Sequence, residues 1–86
     1  VDEKILGSLL KPERAYILLN LDPKYHVEKM IDEVIGWDDV EEVNEVYGDA
    51  DLVIVAKIDR TKQNVVERIR KEFGEVITGM RVLITD

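Results

Sequence analysis

The acidic turn Gly48-Asp49-Ala50-Asp51 has the residue types that could hold a small zwitterion. Glycine adopts positive φ angles readily, and successive turn amides form concavities that bind anions. A carboxylate of Asp49 or Asp51 beside those amides would bind an ammonium group. An α-amino acid carries both groups, so the turn is a candidate amino-acid site. A plain hairpin turn with acidic, solubilising residues is the alternative explanation.

Other chemistry finds little support in the sequence. The single histidine, His26, has no Ser-Asp pattern near it, and the chain contains no cysteine. Asp38-Asp39 and the acids of the 48–51 turn lack the length and glycine placement of a calcium loop. The five glycines are scattered and form no phosphate-binding loop. We therefore expect no catalytic residue, no metal site and no cofactor, and we interpret Trp37 as a hydrophobic plug under its loop.

The charge distribution argues against nucleic acid as a direct partner. The net charge is −7, and the stretch from Met30 to Ala56 has nine acids and no Lys or Arg. Nucleic-acid binding depends on Lys and Arg that neutralise phosphates. No apolar run approaches the roughly 20 residues that span a bilayer, and the lack of cysteine fits a reducing compartment. We expect a cytoplasmic protein without membrane contact, and the charged fraction of 36% fits a thermophile.

Periodicity and turn signals divide the chain into a short amphipathic arm, residues 1–14, and one domain, residues 15–86. The predicted elements of the domain are strand 15–22, helix 24–35, strand 39–47, strand 51–59, helix 62–73 and strand 76–85. Asp22 is the predicted N-cap of the first helix. A βαββαβ order of this length predicts an α+β ferredoxin-like plait, which is a four-stranded antiparallel sheet with both helices on one face.

The two strands predicted to be central are apolar on both faces. Helices cover only one of these faces, so Tyr16, Leu18, Val53 and Val55 would form an apolar patch on the other. Such a patch is larger than a soluble monomer usually exposes. We expect a homodimer in which two sheets face each other through these four residues. The alternative is that the arm, residues 1–14, folds back over the sheet.

The stretch VEEVNEVYGDADLVIVAKID and the later EVITGMRVLITD resemble the effector-binding domain of the Lrp/AsnC transcription regulators, also called the RAM domain. The resemblance covers residues 15–86. Its most specific part is the run of second-strand valines that leads to Gly-x-aromatic-Asp and then to an aliphatic strand. Here that motif reads Gly48-Asp49-Ala50-Asp51. Ala50 departs from the usual aromatic residue, which affects the expected pocket wall and the choice of ligand.

The resemblance implies homodimers through facing sheets, rings of dimers, and amino-acid effectors bound between dimers. It places the effector near the turn after the second strand and the start of the fourth. Carried over to this sequence, the polar end of the effector would be held by Gly48, Asp49, Ala50 and Asp51. The facing part of the site would be lined by Thr78, Gly79 and Met80.

Full-length members of the family carry an N-terminal helix-turn-helix domain, whereas only 14 residues precede the first strand here. The resemblance therefore implies a stand-alone or excised effector domain that influences full-length regulators by mixed assembly. Charge supports a ring independently, because residues 57–71 hold six cations against two acids. Opposite patches guide contacts between copies. We expect the second helix of one dimer to meet the acidic hairpin of the next.

Two other functions stay open at this point. One is a structural oligomer without a ligand, for which the alanine at position 50 is mild support. The other is an ACT-like regulatory domain of the type attached to enzymes of amino-acid metabolism, which shares this topology. An enzyme ranks last, because the sequence offers no pair of nucleophile and base.

Overall fold

The four strands and two helices follow one another in the predicted order. The computed structural model describes residues 13–58 and 65–85. The elements are β1 (Arg14–Leu21), α1 (Val27–Val34), β2 (Val40–Glu45), β3 (Leu52–Lys57), α2 (Val65–Phe73) and β4 (Ile77–Thr85). This βαββαβ order with one antiparallel sheet is the α+β ferredoxin-like plait, so the predicted fold class is confirmed. Most of the predicted arm and the predicted start of the second helix, at residues 1–12 and 59–64, lie outside the described residues.

The four strands form one sheet in the order β2-β3-β1-β4. The central strands, β1 and β3, are the two that the sequence predicts to be central, and both are apolar on both faces. β1 runs antiparallel to both neighbours, so that Leu19 lies opposite Leu52 on one side and opposite Met80 on the other. The carboxyl end of β1 is therefore flanked by the start of β3 and the start of β4.

Helix α1 begins later than its sequence predicts. Its N-cap is His26, which makes no side-chain cap hydrogen bond, and the helix ends at Val34. Asp22 was the predicted N-cap, but its Oδ1 accepts a 2.9 Å hydrogen bond from the amide of Lys24. Asp22 thus builds the turn that precedes the helix, because a short carboxylate bonds readily to a backbone amide two residues on. Ile35, the last residue of the predicted helix, lies at the C-cap and is 50% exposed.

The core lies between the helices and one face of the sheet. Alternate residues of the central strands point into it, and the two helices contribute one residue or more per turn. Its fully buried side chains are Ile17, Leu19, Met30, Val34, Leu52, Ile54 and Ile69. Each buried side chain of this size contributes about 1.5–3 kcal/mol through removal from water. This layer holds β1 and β3 rigidly, and their ends carry the candidate site.

The sheet face opposite the helices, called the open face below, carries the residues predicted to meet a partner. Tyr16, Leu18 and Val53 are half-buried there. Val55 differs from the expected exposed patch, since only 4% of it is accessible. The open face is therefore apolar along its centre but less exposed than the sequence predicts.

An ion pair crosses this open face. Glu41 lies at the irregularity in β2 where pairing with β3 shifts, and its carboxylate bonds to the guanidinium of Arg14. β3 separates the strands of these two residues. The two side chains therefore pass over β3 near Val55 and Lys57. These are the β3 residues that pair with β1 at this end of the sheet. A β-bulge redirects side chains in this way.

Candidate functional site

The predicted acidic turn is part of a six-residue loop that connects β2 to β3. The amide of Val46 donates a 3.0 Å hydrogen bond to the carbonyl of Asp51, which closes the loop. Gly48 has a φ of 114° and nothing within 4 Å of a Cβ placed on it. The positive φ, and not a lack of room for a side chain, is therefore the reason why this position favours glycine. Tyr47, Gly48 and Asp49 are all exposed, and Tyr47 is 94% accessible.

Asp51 attaches this loop to the central strand β1. Its Oδ2 accepts a 2.8 Å hydrogen bond from the amide of Leu21, and its own amide donates a 2.8 Å bond to the carbonyl of Leu19. The carboxylate thus satisfies a backbone donor at the end of β1, where the regular pairing with β3 has stopped. The carboxylate of Asp51 was predicted to bind an ammonium group, and one of its two oxygens is thus already used to hold the loop.

Asn20 joins the two halves of the predicted site, and the sequence analysis missed it. Its Nδ2 donates a 2.9 Å hydrogen bond to the carbonyl of Asp49 in the loop. Its Oδ1 lies 3.4 Å from the position that a Cβ on Gly79 would take. Asn20 and Gly79 are opposite each other in the β1–β4 ladder. The asparagine side chain therefore lies between the loop and the start of β4.

A signal for Asn20 exists in the sequence. It is the polar residue in the otherwise apolar run Tyr16-Ile17-Leu18-Leu19-Asn20-Leu21. A polar side chain in a central strand normally has a hydrogen-bonding partner. That partner is the loop carbonyl, 29 residues away in the chain. The position of the partner depends on the pairing of β1 with β3, which the residue types alone do not state.

The residues predicted on β4 divide between the two faces of the sheet. Gly79 lies beside Asn20 on the open face, while Met80 lies opposite Leu19 and packs against the core. Thr78 is exposed and falls where the β1–β4 register shifts. Bulges are common next to functional sites because they redirect a side chain. Gly79 thus lies near the loop through Asn20, whereas the side chain of Met80 lies on the other face of the sheet.

Ala50 is the remaining predicted site residue, and it is 6% exposed. Its side chain is therefore withdrawn from solvent, while its neighbours Asp49 and Asp51 are exposed. At this exposure the residue as a whole offers little surface to a ligand in the isolated chain. The predicted role of Ala50 as a ligand contact stays a prediction.

A cleft of about 230 Å³ lies against the same loop. It runs between the loop and the turn that precedes α1. Its lining residues are Leu21, Asp22, Pro23, Tyr25, Val27, Glu45, Val46, Tyr47 and Asp51. The volume equals that of about eight water molecules in the liquid. Apolar side chains and three carboxylates line this cleft, so it suits a small cationic or zwitterionic molecule.

Trp37 is buried away from this site, at 6% exposure. Its ring stacks on Phe73 with centroids 6.3 Å apart, and the guanidinium of Arg68 lies 4.0 Å from its centroid. These contacts fix α2 on the loop after α1, in agreement with the predicted plug. The indole Nε1 is buried and has no hydrogen-bond partner in the described part of the chain.

Residues 13–58 and 65–85 contain neither a candidate metal site nor a candidate membrane-spanning helix. No group of three His, Asp or Glu side chains converges there in a way that could hold a metal ion. None of the helices in these ranges has the length and hydropathy to cross a bilayer.

Comparisons with known proteins show a similarity of fold and no similarity of sequence to a known family. Searches of protein families and of curated proteins find no match to the sequence. Among solved structures, FFRP-DM1 superposes with a TM-score of 0.63 at 21% sequence identity, over 85% of this chain and 97% of that one. The hypothetical protein PHS023 from Pyrococcus horikoshii superposes with a TM-score of 0.61 at 18% identity, over 81% and 84% of the two chains.

A third similar structure is that of the transcriptional regulator NMB0573 from Neisseria meningitidis in complex with L-Met. The TM-score is 0.59 at 13% identity, and the match covers 96% of this chain and 53% of the regulator. The chain thus spans about half the length of that protein. At these identities the comparisons establish a shared fold.

Proposed function

We propose that this chain is an amino-acid-sensing and oligomerisation module of the Lrp/AsnC type, whose ligand-dependent assembly modulates transcription regulation. The observation that carries the proposal is the position of Asn20. Its side chain donates a hydrogen bond to the loop carbonyl of Asp49 and lies beside Gly79, and the family resemblance assigns both regions to effector binding. Residues far apart in the sequence thus meet at one end of the sheet.

The chemistry of this end suits an amino acid. The exposed loop supplies backbone amides near Gly48, which has a positive φ, and such amides suit a carboxylate. The carboxylates of Asp49 and Asp51 suit an ammonium group, and the adjoining cleft has apolar walls for a side chain. A second copy that packs against the loop would close the site, as the family resemblance implies.

The similar structures support a regulatory role over an enzymatic one. FFRP-DM1 is a feast/famine regulatory protein of the Lrp type, and the Neisseria protein is a transcriptional regulator solved with L-Met. An amino acid is therefore a ligand of at least one protein with this fold. For the present chain we propose amino acids as effectors, other copies of the chain as partners, and full-length regulators as targets of mixed assembly.

A thermal-shift screen against the twenty amino acids tests the ligand part of the proposal. A ligand at one hundred times its dissociation constant adds about 2.7 kcal/mol of stability. In a domain of this size each kcal/mol raises the melting temperature by about 4–8 °C. We expect at least one amino acid to produce such a shift. We also expect Asn20→Ala to reduce it, while the exposed helix variant Glu28→Ala leaves it unchanged.

A structural oligomer without a ligand is the second candidate, and one observation favours it. Asp51 already bonds to the amide of Leu21, and Ala50 is buried. Two of the four turn residues therefore stabilise the folded chain without any ligand. No shift with any amino acid, combined with a stable oligomer in light scattering, would select this candidate. An ACT-like domain would instead bind its ligand between chains whose sheets lie side by side.

A further inference from the structure

A second cleft lies where helix α2 ends. It has a volume of about 530 Å³ and is lined by the last turn of α2, the turn that follows it and Tyr25. This is more than twice the volume of the cleft beside the 46–51 loop. It also falls within the range of about 300–1,000 Å³ that is usual for small-molecule sites. The proposed effector site lies at the loop, so this larger cleft has no part in the proposed function.

The apolar part of this cleft is attached to the core. Tyr25, Phe73 and Val76 line it, and all three pack against the buried core residues. The amide of Asp22 donates a 2.8 Å hydrogen bond to the carbonyl of Val76, and the amide of Tyr25 donates a 2.9 Å bond to the carbonyl of Asp22. These bonds join the turn before α1 to the turn after α2. The apolar walls are therefore in place without a ligand.

The charged part of the cleft has cations to spare. Arg70 and Lys71, in the last turn of α2, are exposed, and neither has an ion-pair partner within the described residues. Two acids also line the cleft. Glu72 accepts a 3.0 Å hydrogen bond from Arg68, which leaves Glu75 as the unpaired acid. Two available cations thus lie beside one available carboxylate and an aromatic wall.

We propose that this cleft binds an aromatic anion, whose flat ring lies against Tyr25 and Phe73 and whose phosphate or carboxylate is held by Arg70 and Lys71. A guanidinium bonds to two oxygens of such a group through its planar fork, and the ammonium adds a second charge. Glu75 accepts hydrogen bonds from hydroxyl groups between the ring and the anion. A nucleoside monophosphate has a ring, hydroxyls and an anion, so it is the probe of choice.

Cations near a helix C-terminus also have a purely structural explanation. They interact favourably with the carbonyl groups of the last turn, whether or not a ligand is present. That role requires neither the aromatic wall nor the cleft beside it, and it predicts no binding. Inorganic phosphate would use the cations and leave the wall in water, whereas a neutral aromatic molecule would leave the cations unused. Affinity that needs both parts of the probe therefore identifies the proposed site.

Titration of the ¹⁵N-labelled full chain with adenosine monophosphate, followed by NMR, tests the proposal. We expect amide shifts at residues 70–76 and at Tyr25, with none at the loop tip, residues 47–49. Adenosine and inorganic phosphate should each bind at least about tenfold more weakly, since each lacks one set of contacts. Indole-3-acetate distinguishes a carboxylate ligand from a phosphate. No shift with either adenosine monophosphate or indole-3-acetate at millimolar concentration would overturn the proposal.

Variants assign the binding to the cleft. Arg70→Ala and Lys71→Ala should each weaken the binding of adenosine monophosphate about tenfold, because each removes hydrogen bonds to a charged group. Arg81→Ala, an equal charge change on the open face, should leave the affinity unchanged. An equal loss in all three variants would indicate general charge attraction and overturn the site. The thermal shift with amino acids should survive Arg70→Ala, so the two proposed sites fail separately.

The acidic loop of another copy is the competing occupant of this cleft. Tyr47 is 94% exposed, and Asp49 is exposed close to it. If that loop filled the cleft, the native oligomer would not bind adenosine monophosphate, and Tyr47→Ala would lower its mass in light scattering. This pair of results would overturn the proposal. Binding of the nucleotide with an unchanged mass in Tyr47→Ala would support it.

Discussion

The carboxylate of Asp51 accepts a 2.8 Å hydrogen bond from the amide of Leu21, across 30 residues of sequence. The bond attaches the acidic loop to the end of the central strand and leaves Asp49, two residues earlier, pointing to solvent. Two acids of one turn thus have different surroundings, and the difference is open to measurement.

Replacing Asp51 with alanine should lower the free energy of unfolding by about 1–3 kcal/mol, because the Leu21 amide loses its acceptor. Asp49→Ala, with the same change in composition, should stay within about 0.5 kcal/mol, since that side chain is exposed. Urea titration followed by circular dichroism gives both values. Equal effects at the two positions would show that the carboxylate of Asp51 does not hold the loop.

Replacing Gly48 should test the loop conformation. Gly48→Ala places a non-glycine residue at a φ of 114° and should cost about 1–2 kcal/mol, although no atom obstructs the new methyl group. Gly36→Ala is the matched control, since its Cβ would meet only one atom, at 3.6 Å, and its φ is not positive. Chemical denaturation of both variants checks the difference. A larger loss at Gly36 would contradict this explanation.

Gly79 and Asn20 should behave as a coupled pair. A Cβ at Gly79 would just touch the Asn20 Oδ1 at 3.4 Å, so alanine should be tolerated, while the branched side chain of valine should displace Asn20 from the Asp49 carbonyl. The cost of Gly79→Val should fall by about 0.5–1.5 kcal/mol in an Asn20→Ala background. A double-mutant cycle in urea measures this coupling. Additive costs would mean that the two residues do not interact.

Arg68 should report on the packing of α2 over the single tryptophan. Removing its guanidinium from the Trp37 ring should cost about 0.5–1 kcal/mol and shift the indole emission to longer wavelength as water gains access. Arg70→Ala, on the same helix and exposed, should change neither quantity. Fluorescence spectra and thermal melts are sufficient. An unchanged emission in Arg68→Ala would contradict the observed stacking.

Assembly beyond the dimer should depend on salt if helix α2 of one dimer meets the acidic hairpin of the next. The screening length falls from about 10 Å at 0.1 M salt to about 3 Å at 1 M. We expect the oligomer mass to decrease over this range while the dimer, with its apolar centre, persists. Multi-angle light scattering measures both species. A mass that stays constant would show that charge does not drive the ring.

Much of the fold follows from local patterns. Hydrophobic periodicity and turn signals predict the βαββαβ order, and the two strands predicted to be central are the two that are apolar on both faces. Helix ends are less predictable: Asp22 has the residue type of an N-cap, yet it forms the preceding turn and the helix starts at Val27. Several short polar residues compete for the same backbone amides, and tertiary packing decides between them.

The sequence by itself determined the plait, its central strands and the acidic turn, because hydrophobic periodicity and turn chemistry are local properties. Only the tertiary structure decided that Asn20 lies between the loop and Gly79, that Asp51 bonds to β1, and that Met80 points into the core. Those facts depend on strand register. A shift of one residue exchanges the two faces of a strand, and the residue types alone leave that register open.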